Sequence, residues 1–211
     1  MKENGTHKRE QLEKLVKESW ESGDFDEATR LCIKELGPEI IGFLDARLHS
    51  LSDAEEVFCL FAEDLWRGLK KFEWRSTVRV WAYSLAINAA NRYLSAPQRR
   101  RERNLTLSRI EFLQKAVDRV RTTTVAYLRT QTKTRVQKLR EMLPQQDQTV
   151  LILRVDRGFS WRELALAVWS GDEPKTDEAI SRNAARLRKR FERIKDRLRE
   201  LAIQEGVMAD S

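Results

Sequence analysis

Cysteine is nearly absent from this 211-residue chain: only Cys32 and Cys59 occur, and they form no Cys-x-x-Cys pair. That excludes a disulfide-stapled scaffold and argues against a zinc site. Histidine is equally scarce, and neither His7 nor His49 has an acid or nucleophile partner in a motif. Gly-x-Gly-x-x-Gly, P-loop and His-Glu-x-x-His patterns are all missing, so no catalytic, metal or cofactor site is indicated and the chain reads as a non-enzyme. No apolar run approaches the 18 or so residues that a membrane span needs, so no membrane insertion is expected. Met1 to Glu10 is polar and lacks the apolar stretch of a signal peptide. These absences together suggest a reducing, cytoplasmic setting.

What is present is charge. The chain carries 40 Lys and Arg against 33 Asp and Glu, a net +7, with 41% hydrophobic residues to build a core. The distribution is uneven. Residues 1–66 hold 8 basic and 16 acidic side chains, residues 95–142 hold 13 and 4, and residues 177–201 hold 9 and 5. An acidic front followed by basic segments suggests a polyanion as partner of the later parts. The many carboxylates of residues 1–66 read as a solvated face.

Hydrophobic spacing is helical throughout. Ala54, Val57, Phe58, Phe61, Leu65 and Leu69 line one helix face, with Ser52 and Glu55 placed as a capping box. A second helix runs from Thr77 through Leu94. Ile180, Ala184, Leu187, Phe191, Ile194, Leu198 and Leu201 mark a last one of about six turns. No segment alternates long enough to argue for a strand, so the fold expected is all-α. Proline and glycine, 4 and 8 in number, act as punctuation at Gly23, Gly37-Pro38, Ala96-Pro97, Leu143-Pro144, Gly158 and Gly171 to Pro174. The expected organisation is an N-terminal extension (1–21, amphipathic through Leu12, Leu15, Val16 and Trp20), a first helical domain (22–96), a basic connector (97–141), a second domain (142–204) and a tail (205–211). Ile110, Leu113, Val117 and Val120 keep a helical spacing in the connector, which is therefore expected to be helical.

The second domain carries the sharpest pattern. A helix holding Val150, Leu151 and Leu153 is followed by a turn at Arg157-Gly158-Phe159. Ser160 then caps a short helix, with Glu163 placed for the reciprocal bond. A longer basic helix begins at Thr176 or Asp177. That layout is a helix-turn-helix. With Ile180, Ala184, Leu187 and Phe191 inward, Glu178, Ser181, Arg182, Ala185 and Arg186 lie where such a helix meets base edges. Lys189 and Arg193 lie further along, toward phosphates.

On these residues the chain resembles the bacterial RNA polymerase sigma factors, most nearly their short extracytoplasmic-function group. Leu143-Pro144, Val150 to Arg154 and Arg157 to Ala165 are similar to the family's fourth region, which reads the minus-thirty-five element. Asp53 to Val57 and Leu65 to Leu69 resemble its polymerase-binding helix, and Arg79 to Asn88 resembles the helix that opens the minus-ten element. The resemblance implies minus-ten contacts from Lys70, Lys71, Trp74, Arg75, Arg79, Asn88 and Arg92, since gripping an unpaired base takes aromatic and cationic groups. It implies polymerase docking by Glu56, Cys59, Leu60, Glu63 and Arg67, with Cys59-Leu60 standing where the family has a polar Gln-Glu pair. Trp81 reads as core packing and Trp74 as ligand-facing. The turn from Trp169 to Thr176 is about five residues longer than usual in the family.

The partners so implied are promoter DNA and RNA polymerase core enzyme, with an anti-sigma factor as a further candidate. No cofactor is implied. Two other readings fit the same residues: a sigma-derived regulator that binds DNA without serving the polymerase, and a helical protein-interaction module.

Overall fold

The computed structural model describes residues 2–95, 111–129, 135–170 and 173–208. The fold is all-α, and among the described residues there is no strand. Two compact units divide the chain, Met1–Thr130 and Gln131–Ser211.

The first unit is built around one central helix. Its elements are α1 (Lys2–Glu21), α2 (Phe25–Leu48), α3 (Leu51–Leu69), α4 (Val78–Ser95) and α5 (Glu111–Arg129). All four others pack against α2, whose Ile33, Ile40, Ile41, Phe43 and Leu44 are fully buried beside Phe58, Phe61, Leu65 and Tyr83. Gly23, at φ 79°, reverses the chain between α1 and α2, and Asp24 caps α2 by accepting the Glu27 N–H at 2.9 Å. Between α2 and α4, Arg47 donates to Asn91 Oδ1 at 2.5 Å and to the Ile87 carbonyl at 3.4 Å. Burial pulls its pKa down to about 10, which leaves it charged at neutral pH.

Several expectations change here. The cap of α3 is Ser50, which accepts the Asp53 N–H at 3.3 Å, and not Ser52. His49 ends α2 in the left-handed region at φ 55°, so the chain turns two residues earlier than the apolar stripe alone suggests. Gly37-Pro38 is no break: α2 runs unbroken through it. Proline there removes one backbone donor, and the glycine answers to packing. A Cβ on Gly37 would lie 2.9 and 3.0 Å from the Val120 methyls of α5 and 3.2 Å from Phe58 Cζ.

The compact unit is also wider than 22–96. Leu12 and Val16 of α1 and Leu113, Val117 and Val120 of α5 are buried, because both amphipathic stripes find the surface of α2. Residues 97–110, Ile110 among them, lie outside the described residues.

The second unit holds α6 (Arg135–Glu141), α7 (Gln145–Leu151) continued by a π-helical turn at Ile152–Asp156, α8 (Trp161–Ala167) and α9 (Asp177–Gln204). Pro144 stands just ahead of α7 as its N-cap residue. Six successive residues, Gln148 to Leu153, are buried, more than one face of a regular α-helix can cover. The run is covered from more than one side, α7 packing on α9 and the π turn on α8. Leu153, Phe159 and Leu164 are buried, as are Ile180, Leu187, Ile194 and Leu201 along the inner side of α9, which packs on α6, α7 and α8.

Candidate nucleic-acid interface

In the second unit, local turn chemistry fixes where α8 and α9 begin. Gly158 takes φ 68°, a conformation that strains any residue with a Cβ. Ser160 and Glu163 then form the expected capping box, Ser160 Oγ accepting the Glu163 N–H at 3.2 Å and Glu163 Oε2 accepting the Ser160 N–H at 2.7 Å. Thr176 caps α9 through the Ala179 N–H at 3.2 Å. Asn183 donates to the Ala165 carbonyl at 3.2 Å and ties α9 to α8. Trp161 packs edge-on against Phe191 at 5.6 Å, with the Arg154 guanidinium 4.5 Å from its ring centre. Arg190 joins Asp147 at 2.5 Å, fixing α9 to α7.

What remains outward on α9 is one face. Glu178, Ser181, Arg182, Ala185, Arg186, Lys189 and Arg193 are all exposed. At 100° per residue they fall within a sector of about 140°, opposite Ile180, Leu187 and Ile194. Arg182 makes an exposed pair with Glu173 at 3.1 Å, and Arg162 of α8 one with Asp177 at 2.5 Å. Exposed pairs of this kind are worth little in water, so both guanidiniums can exchange partners. The turn from Trp169 to Thr176 is described only in part, residues 171 and 172 lying outside.

The loop between α3 and α4 is an aromatic cluster. Phe72 stacks on Trp81 at 4.7 Å and meets Trp74 at 4.9 Å, while Trp20 of α1 approaches Trp74 edge-on at 5.9 Å. Trp81 thus packs within the cluster, its ring also lying over Gly68. Trp74 is half-buried, at φ 55°, and its Nε1 is buried with no hydrogen-bond partner. Lys70, Lys71 and Arg75 are exposed around it, Arg75 pairing with Glu73 at 2.9 Å.

Helix α4 divides its candidates. Asn88 and Arg92 are exposed on the outer side, where Arg92 pairs with Asp64. Arg79 lies on the opposite side, 6% exposed, held by Glu39 at 2.8 and 3.2 Å with its guanidinium 5.4 Å from the Tyr83 ring centre. Its place one turn before Tyr83 puts it on the inner stripe, and the structure does not bring it to the surface with Asn88 and Arg92.

The α3 face is less open than its spacing suggests. Glu56, Cys59 and Leu60 are half-buried rather than exposed. Glu63 is 8% exposed and bonded to Arg67 at 2.5 Å, with Arg67 itself outward. Cys59 lies beside α5, under the charges of Arg121 and Asp118, and burial pushes its thiol pKa up. Arg121 reaches Glu55 at 3.4 Å.

Sequence reasoning left α1 unassigned, yet α1 builds the aromatic loop. Glu13 accepts the Val78 N–H at 2.9 and 3.1 Å, filling the open N-terminus of α4. Trp20 Nε1 donates to the Leu69 carbonyl at 2.9 Å, and Lys17 Nζ stands 5.8 Å from the Trp74 ring centre. The amphipathic period at Leu12, Val16 and Trp20 was the available signal; the tertiary role of Glu13 had none.

No protein-family model matches the chain. It is 28% identical over 160 residues to the RNA polymerase sigma-H factor of Pseudomonas aeruginosa, an alignment covering 74% of this chain and 82% of that protein. About three quarters of the chain is thus similar in sequence to an RNA polymerase sigma factor.

Proposed function

We propose that the chain directs RNA polymerase core enzyme to promoters and helps to initiate transcription there, as a cytoplasmic, non-enzymatic factor. The observation that carries this reading is the outward face of α9. Seven side chains expected at DNA lie on one sector of α9, whose start is capped by Thr176 and which is tied to α8 through Asn183. In the proposed roles, Glu178, Ser181, Arg182, Ala185 and Arg186 meet base edges of a minus-thirty-five-like element, and Lys189 and Arg193 meet phosphates. Lys70, Lys71, Trp74, Arg75, Asn88 and Arg92 serve a minus-ten-like element, with Arg79 supporting α4 from inside. Glu56, Cys59, Leu60, Glu63 and Arg67 form the polymerase-docking face. An anti-sigma factor remains a candidate partner on this reading.

Run-off transcription with purified core polymerase on a promoter library tests it. Promoter-dependent transcripts are expected. DNA binding without transcripts or core binding would favour a regulator that does not serve the polymerase, a reading that the partial burial of Cys59 and Glu63 also supports.

A further inference from the structure

Helix α5 sits in a built seat. It lies along the groove between α2 and α3, burying Leu113, Val117 and Val120. Gly37 makes the close approach possible, since a side chain there would collide with Val120. At one end the Arg30 guanidinium lies 5.8 Å from the Phe112 ring centre, and at the other Arg121 pairs with Glu55. The seat therefore has shape and charge specific to residues 111–121.

That seat adjoins the proposed docking face. On α3 the side of Glu55 and Cys59 belongs to α5, and the side of Glu56, Cys59, Leu60 and Glu63 is the proposed polymerase contact. Cys59 belongs to both. Asp118 and Arg121 of α5 stand close to Cys59, at the edge of that second side. The seat is also modest: among the described side chains of α5 three are buried, and the Arg121–Glu55 contact is long at 3.4 Å, with Arg121 Nε buried and unbonded. Such an element can leave without unfolding the helices beneath it.

We infer that α5 is an intramolecular competitor for the polymerase-docking face of α3, seated in the free chain and released when core enzyme binds. The inference rests on the polymerase reading above. It makes α5 a switch with two positions, its seated form setting how much of the free protein is ready to bind.

The test uses the full chain as wild type, Val117→Asp and Arg121→Glu, the last setting a carboxylate against Glu55 and Asp118 without altering the core. Hydrogen-exchange mass spectrometry follows residues 111–122 in the free and core-bound protein, and surface plasmon resonance gives the core affinity. Both variants should lose protection in 111–122 while α2 keeps its own. Both should also bind core more tightly, by about tenfold if a tenth of the wild-type chain is unseated. Wild-type 111–122 should lose protection on binding core. Three results would each overturn the inference alone: 111–122 still protected in core-bound wild type, variants that bind core no tighter, or variants that leave α5 seated. Absence of core binding by wild type and both variants would overturn the polymerase reading and this inference with it.

Discussion

Replacing Gly37 by alanine sets two effects of opposite sign against each other. In the interior of a helix such as α2, alanine is favoured over glycine by about 0.5–1 kcal/mol. Against this, the new Cβ meets two Val120 methyls at 2.9 and 3.0 Å and Phe58 Cζ at 3.2 Å. Val120 is β-branched and strongly prefers one rotamer in a helix, so it cannot swing aside, and Phe58 is fully buried. Overpacking of this kind costs about 1–3 kcal/mol, and the net expectation is a loss of about 1 kcal/mol. In a Val120→Ala background the obstruction is largely gone, and the same substitution should be neutral or stabilising by up to about 1 kcal/mol. The double-mutant cycle should therefore show a coupling of about 1–2 kcal/mol. Exchange of α2 and α5 amides reads these opening energies locally, without requiring both units to unfold as one. A stabilising Gly37→Ala with Val120 intact would refute the close approach.

Three further outcomes are expected. Arg182→Ala should cost about 1–3 kcal/mol of DNA affinity and relax preference at one base position, whereas Lys189→Ala should weaken all sequences alike and lower the salt slope by about one; a binding series on mutated promoters at several salt concentrations separates them. Trp74→Ala should impair open-complex formation more than initial duplex binding, by about 1–3 kcal/mol for one stacked base, while Trp74→Phe keeps the aromatic cluster; a permanganate footprint matching wild type would count against the role. Burial raises the Glu13 carboxyl above its ordinary 4.5 despite the Val78 bond, so its stabilising contribution is full below that ordinary value and lost as pH rises through the raised one. Glu13→Gln, which can still accept the Val78 N–H, should remove that pH dependence, and parallel wild-type and mutant stability curves from neutral to acid pH would contradict it.

The helices were legible because their stripes are strong and their caps local. Ser160, Glu163 and Thr176 needed no tertiary information, since each cap reaches only three residues along the chain. The α9 face was legible for the same reason: one helix with a buried stripe exposes its opposite side whatever it packs on. Gly37-Pro38 misled, because two residues that break isolated helices can sit inside one when a neighbour supplies the packing. Arg79, expected at DNA from the resemblance, and Glu63, expected on a docking face, are both buried. Glu39 and the Tyr83 ring hold Arg79 inside, and Glu63 is buried where it pairs with Arg67. The burial of α1 and α5 on α2 had no local signal beyond amphipathicity, which says that a stripe must be covered but not by what.

A π turn holds one residue more than the α turn it interrupts, so Ile152–Asp156 amounts to a single-residue insertion inside a helix. Deleting the exposed Val155 should restore a regular α-helix and rotate α7 by about 100° about its axis relative to Gly158 and α8. Part of the buried run Gln148 to Leu153 would then turn outward, and Asp147 would swing away from Arg190. A gap opposite this segment in an alignment would thus mark a change in how α7 faces α9, not a change in loop length.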